Sequence, residues 1–293
     1  MILPEFEYLA PETLDEAISI LKGYGDEAKI LTGGTDLLNP IKDYALDDDV
    51  KKPSYIVDIK RIPEMDGIEF DAEKGLCIGA LTKLVDIEQS EVVRKEYPAL
   101  AEAAHVIASN QIRSKGTMVG NICNASPSAD SVPALIVLEA SLDITGPEGT
   151  RSVPVEDFFT GFKTIDLQDG EIVTAIRIPP VGENTKAAYI KHAFRKAMDL
   201  AIVGVAAKVT VEDGICKDAK VALGAVSITA VRAKKAEEIL IGSDLSAEVL
   251  EKAGEAAMLE CKPISDVRAS AEYRQDMVRV FTKRSVAKAL EQF

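Results

Sequence analysis

The stretch Lys29–Leu38, KILTGGTDLL, decides how the rest of the chain is read. An apolar run meets two adjacent glycines flanked by threonines, then an aspartate and a second apolar run. Glycine is favoured where backbone needs φ > 0 or must come close to another group. The segment reads either as a tight turn between a strand and a helix or as bare backbone that touches a ligand. The residues before it are well signed. Thr13 and Glu16 have the spacing of a capping box, and Leu14, Ala17, Ile18 and Leu21 share one helical face. Gly23 and Gly25 end that helix, and AKIL (28–31) is the short strand that enters the glycines.

A second glycine-bearing stretch lies downstream at Gln111–Asp130, QIRSKGTMVGNICNASPSAD. It carries Gly116 and Gly120, small hydroxyl residues and two Asn, and it predicts no regular element along its length. Long irregular segments inside compact domains are usually functional or disordered. The apolar helix SVPALIVLEA that follows argues against disorder. Successive N–H groups at glycine turns form concave anion sites, and a helix starting near Asp36 would add its positive end. Together the two loops suit a dinucleotide diphosphate held without Lys or Arg. Neither matches G-x-G-x-x-G or the P-loop pattern, so composition leaves two readings open, a cradle or a pair of turns.

Further outward, SYIVDI and GLCIGAL read as strands, with Thr82 capping the helix after the second. Pro98 opens another helix, and SLDITGPEGTRSVPV forms two strands about a Gly-Pro turn. The strand EIVTAIRIPP ends at Pro179-Pro180, and VGENTK reads as a linker. Strands at AIVGVAAKVTV and KVALGAVS then lead to helices around Ala230–Ile241, Ala247–Leu259 and Glu272–Glu291. This is an α+β chain with a boundary near residue 180.

The bulk numbers remove several function classes. With 293 residues and 47% apolar composition the chain has material for two domains and a sizeable core. A net charge of -14 argues against nucleic acid or an anionic membrane as partner. Aromatics at 5%, without Trp, make no base-stacking platform. The start, MILPEFEYLAPETL, lacks the form of a signal peptide, and no apolar run has the length of a membrane span. Cys77, Cys123, Cys216 and Cys261 lie far apart, with no zinc or iron–sulfur spacing. Free thiols fit a cytoplasmic location.

The motifs KILTGGTDLL, IGALTKL, QIRSKGTMVGNICNASPSAD and EIVTAIRIP follow the order and spacing of the flavoprotein subunit of molybdenum hydroxylases. The whole chain resembles that family, which includes xanthine, carbon monoxide and nicotinate dehydrogenases. One departure is Val119-Gly120 before Asn121, where the family usually has Gly-Gly. The resemblance implies a vanillyl-alcohol-oxidase-like (PCMH-type) FAD-binding domain over 1–180, with subdomains of about 1–57 and 58–180. It implies a C-terminal α+β domain over 186–293 with a three-stranded antiparallel sheet.

By matched position, Lys29, Ile30, Leu31, Thr32, Gly33, Gly34, Thr35 and Asp36 would line the FAD diphosphate and ribose. Thr117, Met118, Val119, Gly120 and Asn121 would form the second phosphate loop, with Asp130 on a polar part of the cofactor. Ile107, Val173 and Lys191 would complete the wall. Read without the resemblance, Asp36 and Asp130 are equally helix N-caps, and Ile107 and Val173 are ordinary core residues. Lys191 stands out as a lysine in an apolar strand-like run. His105 and His192 read as structural, and Cys123 as a packed residue.

The resemblance implies an electron-exit subunit with no catalytic residue and no metal of its own. FAD, held non-covalently, would take electrons from [2Fe-2S] clusters on a small partner, fed by molybdopterin on a large one. It would pass them to NAD(P)+ or another acceptor. The substrate oxidised on the large partner is expected to be a purine or other N-heterocycle. Two other readings stand beside this, a stand-alone FAD-dependent reductase of the same fold and a non-catalytic scaffold.

Overall fold

The computed structural model describes residues 4–43 and 52–293. The first three residues of the N-terminal stretch read above, and residues 44–51 of the expected first subdomain, lie outside the described residues.

The chain opens with β1 (Glu7–Leu9), α1 (Leu14–Tyr24), β2 (Ala28–Leu31), α2 (Leu38–Asp43) and β3 (Tyr55–Asp58). The three strands are parallel, in the order β1-β3-β2. α1 packs Ala17, Ile18 and Leu21 inward. Thr13 Oγ1 accepts from the Glu16 N–H at 3.2 Å. The Glu16 carboxylate reaches back to the Glu12 N–H at 3.0 Å, one residue beyond the usual capping box.

Next come β4 (Ile68–Asp71), β5 (Gly75–Gly79) and a run of short helices: α3 (Leu84–Gln89), α4 (Glu91–Glu96), α5 (Pro98–His105), α6 (Asn110–Arg113), α7 (Met118–Cys123) and α8 (Ser131–Val137). β6 (Ser141–Gly146), β7 (Gly149–Pro154), β8 (Phe159–Gly161), β9 (Thr164–Ile165) and β10 (Ile172–Ile178) follow. Five of these strands form an antiparallel sheet, β4-β5-β10-β6-β7. Two expectations are corrected. Gln111–Asp130 contains most of α6 and all of α7, because Thr117 Oγ1 caps α7 by accepting from the Gly120 N–H at 3.0 Å. Thr82 is not a cap; its hydroxyl bonds Gly67, and Lys83 holds the position before α3.

β11 (Thr185–His192), β12 (Val203–Glu212), β13 (Ile215–Gly224) and β14 (Val231–Arg232) form an antiparallel sheet in chain order, followed by α9 (Lys234–Leu240), α10 (Ala247–Glu260) and α11 (Ala271–Leu290). The expected three strands become four, since Val231 and Arg232 turn back to pair with Leu223 and Ala222. β11 begins inside VGENTK, so that stretch is partly strand.

The third sheet joins two cores. Successive strand residues face opposite sides. Ala187, Tyr189, Ala206 and Ala222 pack with the residues of the first two sheets and α5 and α8. Ala188, Val205, Ala207, Val221 and Leu223 pack with α9, α10 and α11. β12 is buried on both faces from Val203 to Val209. Each such buried Val stabilises by roughly 1.5–3 kcal/mol.

Candidate cofactor-binding cleft

The turn after β2 and the turn before α7 dock on each other. Thr32 and Thr117 bring their hydroxyl oxygens to 3.2 Å. A Cβ on Gly33 would lie 2.1 Å from the Lys115 carbonyl oxygen and 2.7 Å from Gly116 Cα. Gly33 is bare so that the second loop's main chain can approach, and its own backbone also lines the cavity described next. Gly34 has φ +71°, the left-handed region that glycine enters without penalty. Its carbonyl accepts from the Leu38 N–H at 3.0 Å. On Gly120, a Cβ would come within 2.9 Å of Thr117 Oγ1 and 3.1 Å of Thr32 Oγ1. Val119 sits in the first turn of α7, where φ < 0 costs a β-branched residue nothing, and is 5% exposed.

Beside this junction lies a cavity of about 710 Å³, within the range of small-molecule sites. Fifteen of the seventeen expected residues line it; Leu31 and Met118 do not. Met118 is fully buried in the core. The Leu31 side chain packs beneath the glycine turn, with Cδ1 at 2.9 Å from where a Gly34 Cβ would be. Hydroxyls and amides of Thr35, Asn39, Asn121, Asn124, Ser126 and Ser128 also line the cavity, together with apolar Ile107, Leu167, Ile172, Val173 and Leu200.

Asp130 and Lys191 meet in the lining. Lys191 Nζ donates to Asp130 Oδ2 at 2.8 Å, and the Tyr189 hydroxyl donates to Oδ1 at 2.7 Å. Asp130 precedes α8 yet makes no capping bond, so the cap reading gives way to this pair. Burial pushes the Asp130 carboxyl above its ordinary value, against the pull of Lys191 and Tyr189. Burial likewise raises Asp36, against Lys163, and pushes the Cys123 thiol up to about 12. The Ser131 hydroxyl donates to Asn121 Oδ1 at 2.6 Å, tying α8 to α7.

Ile107 is set by its neighbours. Lys191 Nζ donates to the Val106 carbonyl at 3.1 Å, and Arg113 Nη1 to the Ile107 carbonyl at 3.0 Å. The Met198 N–H donates to the Ala108 carbonyl at 3.1 Å. Ala108 and Met198, both in the lining, have φ of +47° and +54°. Such strain persists where the surroundings fix it, often at functional sites. His105 bonds Glu88 at 2.7 Å, and His192 stacks on Phe281 at 4.9 Å; neither lines the cavity. Tyr189 was missed by sequence reasoning, although a strand places it on the same face as Lys191, two residues on.

The charged groups of the lining are Lys29, Asp36, Asp130, Lys191 and Asp199. Lys191 is paired with Asp130, and Asp199 with Arg195. An anionic segment in the cavity would therefore rest on backbone N–H groups and hydroxyls, with Lys29 as a further lining cation. Among the described residues no group of three or more metal-capable side chains occurs, and all four thiols are free. The cleft lining combines hydroxyls, amides and backbone groups with apolar side chains and suits a ligand with both polar and apolar parts, so fold and cleft together define a cofactor-binding chain.

Residues 4–181 match the family described as the FAD binding domain in molybdopterin dehydrogenase, and 188–289 match the CO dehydrogenase flavoprotein C-terminal domain. The chain is 35% identical to the carbon monoxide dehydrogenase medium chain of Hydrogenophaga pseudoflava, over 98% of this chain and 97% of that one. It is 34% identical to the xanthine dehydrogenase FAD-binding subunit of Escherichia coli O157:H7, over 97% and 95%. The solved structure of the Hydrogenophaga pseudoflava carbon monoxide dehydrogenase lacking its Mo-pyranopterin moiety superposes with a TM-score of 0.93, at 36% identity over 99% of each chain. The chain belongs to the family of FAD-binding subunits of molybdopterin dehydrogenases. It is a flavoprotein component of an oxidoreductase.

Proposed function

We propose that the cleft holds FAD non-covalently and that the chain is the electron-exit subunit of a three-part molybdenum hydroxylase. The supporting observation is the docking of two loops, 85 residues apart, beside one cavity whose lining also carries the Asp130–Lys191 pair. In this reading residues 1–180 form the PCMH-type FAD-binding domain, in two subdomains of about 1–57 and 58–180, and 186–293 the C-terminal domain. Bound FAD supplies two-electron and one-electron redox chemistry. Thr32, Thr35 and Thr117, with the backbone N–H groups of both loops, hold its diphosphate and ribose. Ile107 and Val173 give apolar packing and exclude water. Lys191, held by Asp130, presents one oriented ammonium group.

Electrons enter from a [2Fe-2S] partner and leave to NAD(P)+ or another acceptor, in the cytoplasm. The substrate, which we read as a purine or other N-heterocycle from the likeness of GNICNASPSADS and RKAMDLAIVG to xanthine dehydrogenase-like members, never touches this chain. Among the described residues no helix is long and apolar enough to cross a membrane.

The test is flavin reduction. The isolated chain should bind one FAD, release it into the supernatant on acid precipitation, and oxidise no purine, aldehyde or N-heterocycle. The complex purified with its partners should reduce the flavin when substrate is added. Turnover of such a substrate by the isolated chain with NAD(P)+ would replace this reading with a stand-alone reductase.

A further inference from the structure

We infer that Tyr189 is a positioning residue for the flavin site, acting through Asp130 on Lys191. The inference rests on the reading of the cleft as the FAD site. Tyr189 does not line the cavity, and it is 3% exposed. Its hydroxyl donates to Asp130 Oδ1 at 2.7 Å while Lys191 takes Oδ2 at 2.8 Å. The carboxylate is thus gripped from two sides, one donor facing the core and the other the cavity. Lys191 also donates to the Val106 carbonyl at 3.1 Å, so the ammonium has fixed partners and a fixed direction.

The rest of Tyr189 is equally constrained. Its N–H donates to Glu102 Oε2 at 2.9 Å, and Glu102 pairs with Lys288 of α11 at 2.6 Å. The neighbouring strand leaves space for the ring. Gly204 stands opposite Lys191 in register, and a Cβ there would lie 2.5 Å from the Tyr189 hydroxyl and 3.3 Å from the ring carbon that bears it. Gly204 has an extended strand position with no positive φ, so its lack of a side chain serves the hydroxyl and not the backbone. A strand interior ordinarily loses stability by carrying glycine. Tyr189, Asp130 and Lys191 form one hydrogen-bonded chain from the buried sheet to the cavity wall, and Gly204 is the space that lets it close. Without the hydroxyl, a buried carboxylate loses one of its two donors, and groups left short of partners in low dielectric reorganise.

The experiment measures three things in the full chain: FAD affinity, the midpoint potential of the bound flavin, and the melting temperature of the flavin-free protein. Tyr189→Phe should weaken FAD binding about tenfold, the effect of one lost hydrogen bond to a charged group, and shift the potential. Gly204→Ala, which displaces the hydroxyl from the other side, should shift affinity and potential in the same directions. The double variant should be no worse than the more affected single variant, because both act on one bond. Unchanged affinity and potential in Tyr189→Phe would overturn the inference. So would additive losses that follow the melting temperature with the potential unmoved, since packing alone explains those. If Tyr189→Phe does not fold, a normal affinity and potential in Gly204→Ala overturns the inference, and shifts in both sustain it. Failure of the wild-type chain to take up FAD would instead remove the flavin reading itself, and this inference with it.

Discussion

Thr32 and Thr117 touch through their hydroxyls at 3.2 Å, although 85 residues separate them. The contact ties the turn after β2 to the start of α7, so the two glycine loops form one rigid edge of the cleft. Thr117 also caps α7 through the Gly120 N–H. Thr117→Val should therefore lose cap and contact together. We expect about 1 kcal/mol lower stability and weaker FAD binding, while Thr117→Ser keeps both. Thermal melting and a flavin fluorescence titration check this; a valine variant with unchanged titration would separate the junction from the cofactor.

Gly33 and Gly34 should fail for different reasons. Gly33→Ala puts a Cβ 2.1 Å from a main-chain oxygen that has no rotamer to give. Overpacking of this kind costs roughly 1–3 kcal/mol, and the flavin-free protein should already melt lower. Gly34→Ala meets only Leu31 and Leu38 side chains but must hold φ +71°, at a cost of about 1 kcal/mol. The comparison of melting temperatures checks this, and a Gly33→Ala protein as stable as wild type without flavin would show the loops to be less tightly docked.

Acid should loosen the C-terminal core through Asp266. Burial acts to raise its pKa, but the Arg268 and Ala269 N–H groups and the Arg274 guanidinium prevail and hold it at about 2. A carboxyl depressed on folding stabilises fully above its unfolded pKa near 4 and loses that contribution as pH falls toward 2. Arg274 is 3% exposed and also donates to the Ile202 and Ala225 carbonyls. Asp266→Asn should cost roughly 1–3 kcal/mol at neutral pH and flatten the acid limb of a stability profile between about pH 4 and 2. An unaltered acid limb would remove Asp266 as its source.

Cys123 lines the cleft, yet its thiol is pushed up to about 12. At pH 8 only roughly one part in ten thousand is thiolate, the reactive form. Native protein treated with iodoacetamide should carry no label at Cys123, and denatured protein should carry it fully. Peptide mass mapping decides, and rapid labelling in the native protein would mean a lower pKa than its surroundings imply.

Much of this was legible in the sequence, for physical reasons that differ by residue. α1 showed itself because Thr13, Glu16 and the spacing of Leu14, Ala17, Ile18 and Leu21 agree on one answer. Composition paired the two glycine loops but left cradle and turns open, and only the resemblance chose between them, since Gly33 and Gly120 serve contacts with residues remote in sequence. α7 was hidden because MVGNIC is six residues long with a glycine inside, too short for periodicity to speak. β14 has two residues and exists only by pairing with β13. The Thr82 hydroxyl looked like a cap, and Gly67, 15 residues back, claims it instead. Tyr189 carried no motif; its role comes from Asp130, 59 residues earlier.

The third sheet has a consequence for how the molecule comes apart. Because β12 is buried on both faces, with Val203, Val205, Ala207 and Val209 in one core and Ala206 in the other, the sheet acts as a party wall rather than a partition. Cutting the chain at the Pro179-Pro180 corner leaves α5 and α8 without their cover and the helical layer without its support. Neither half is then a free-standing lodger. The full chain should melt in one cooperative transition, and expression of residues 1–180 alone should give an aggregating product rather than a smaller flavoprotein.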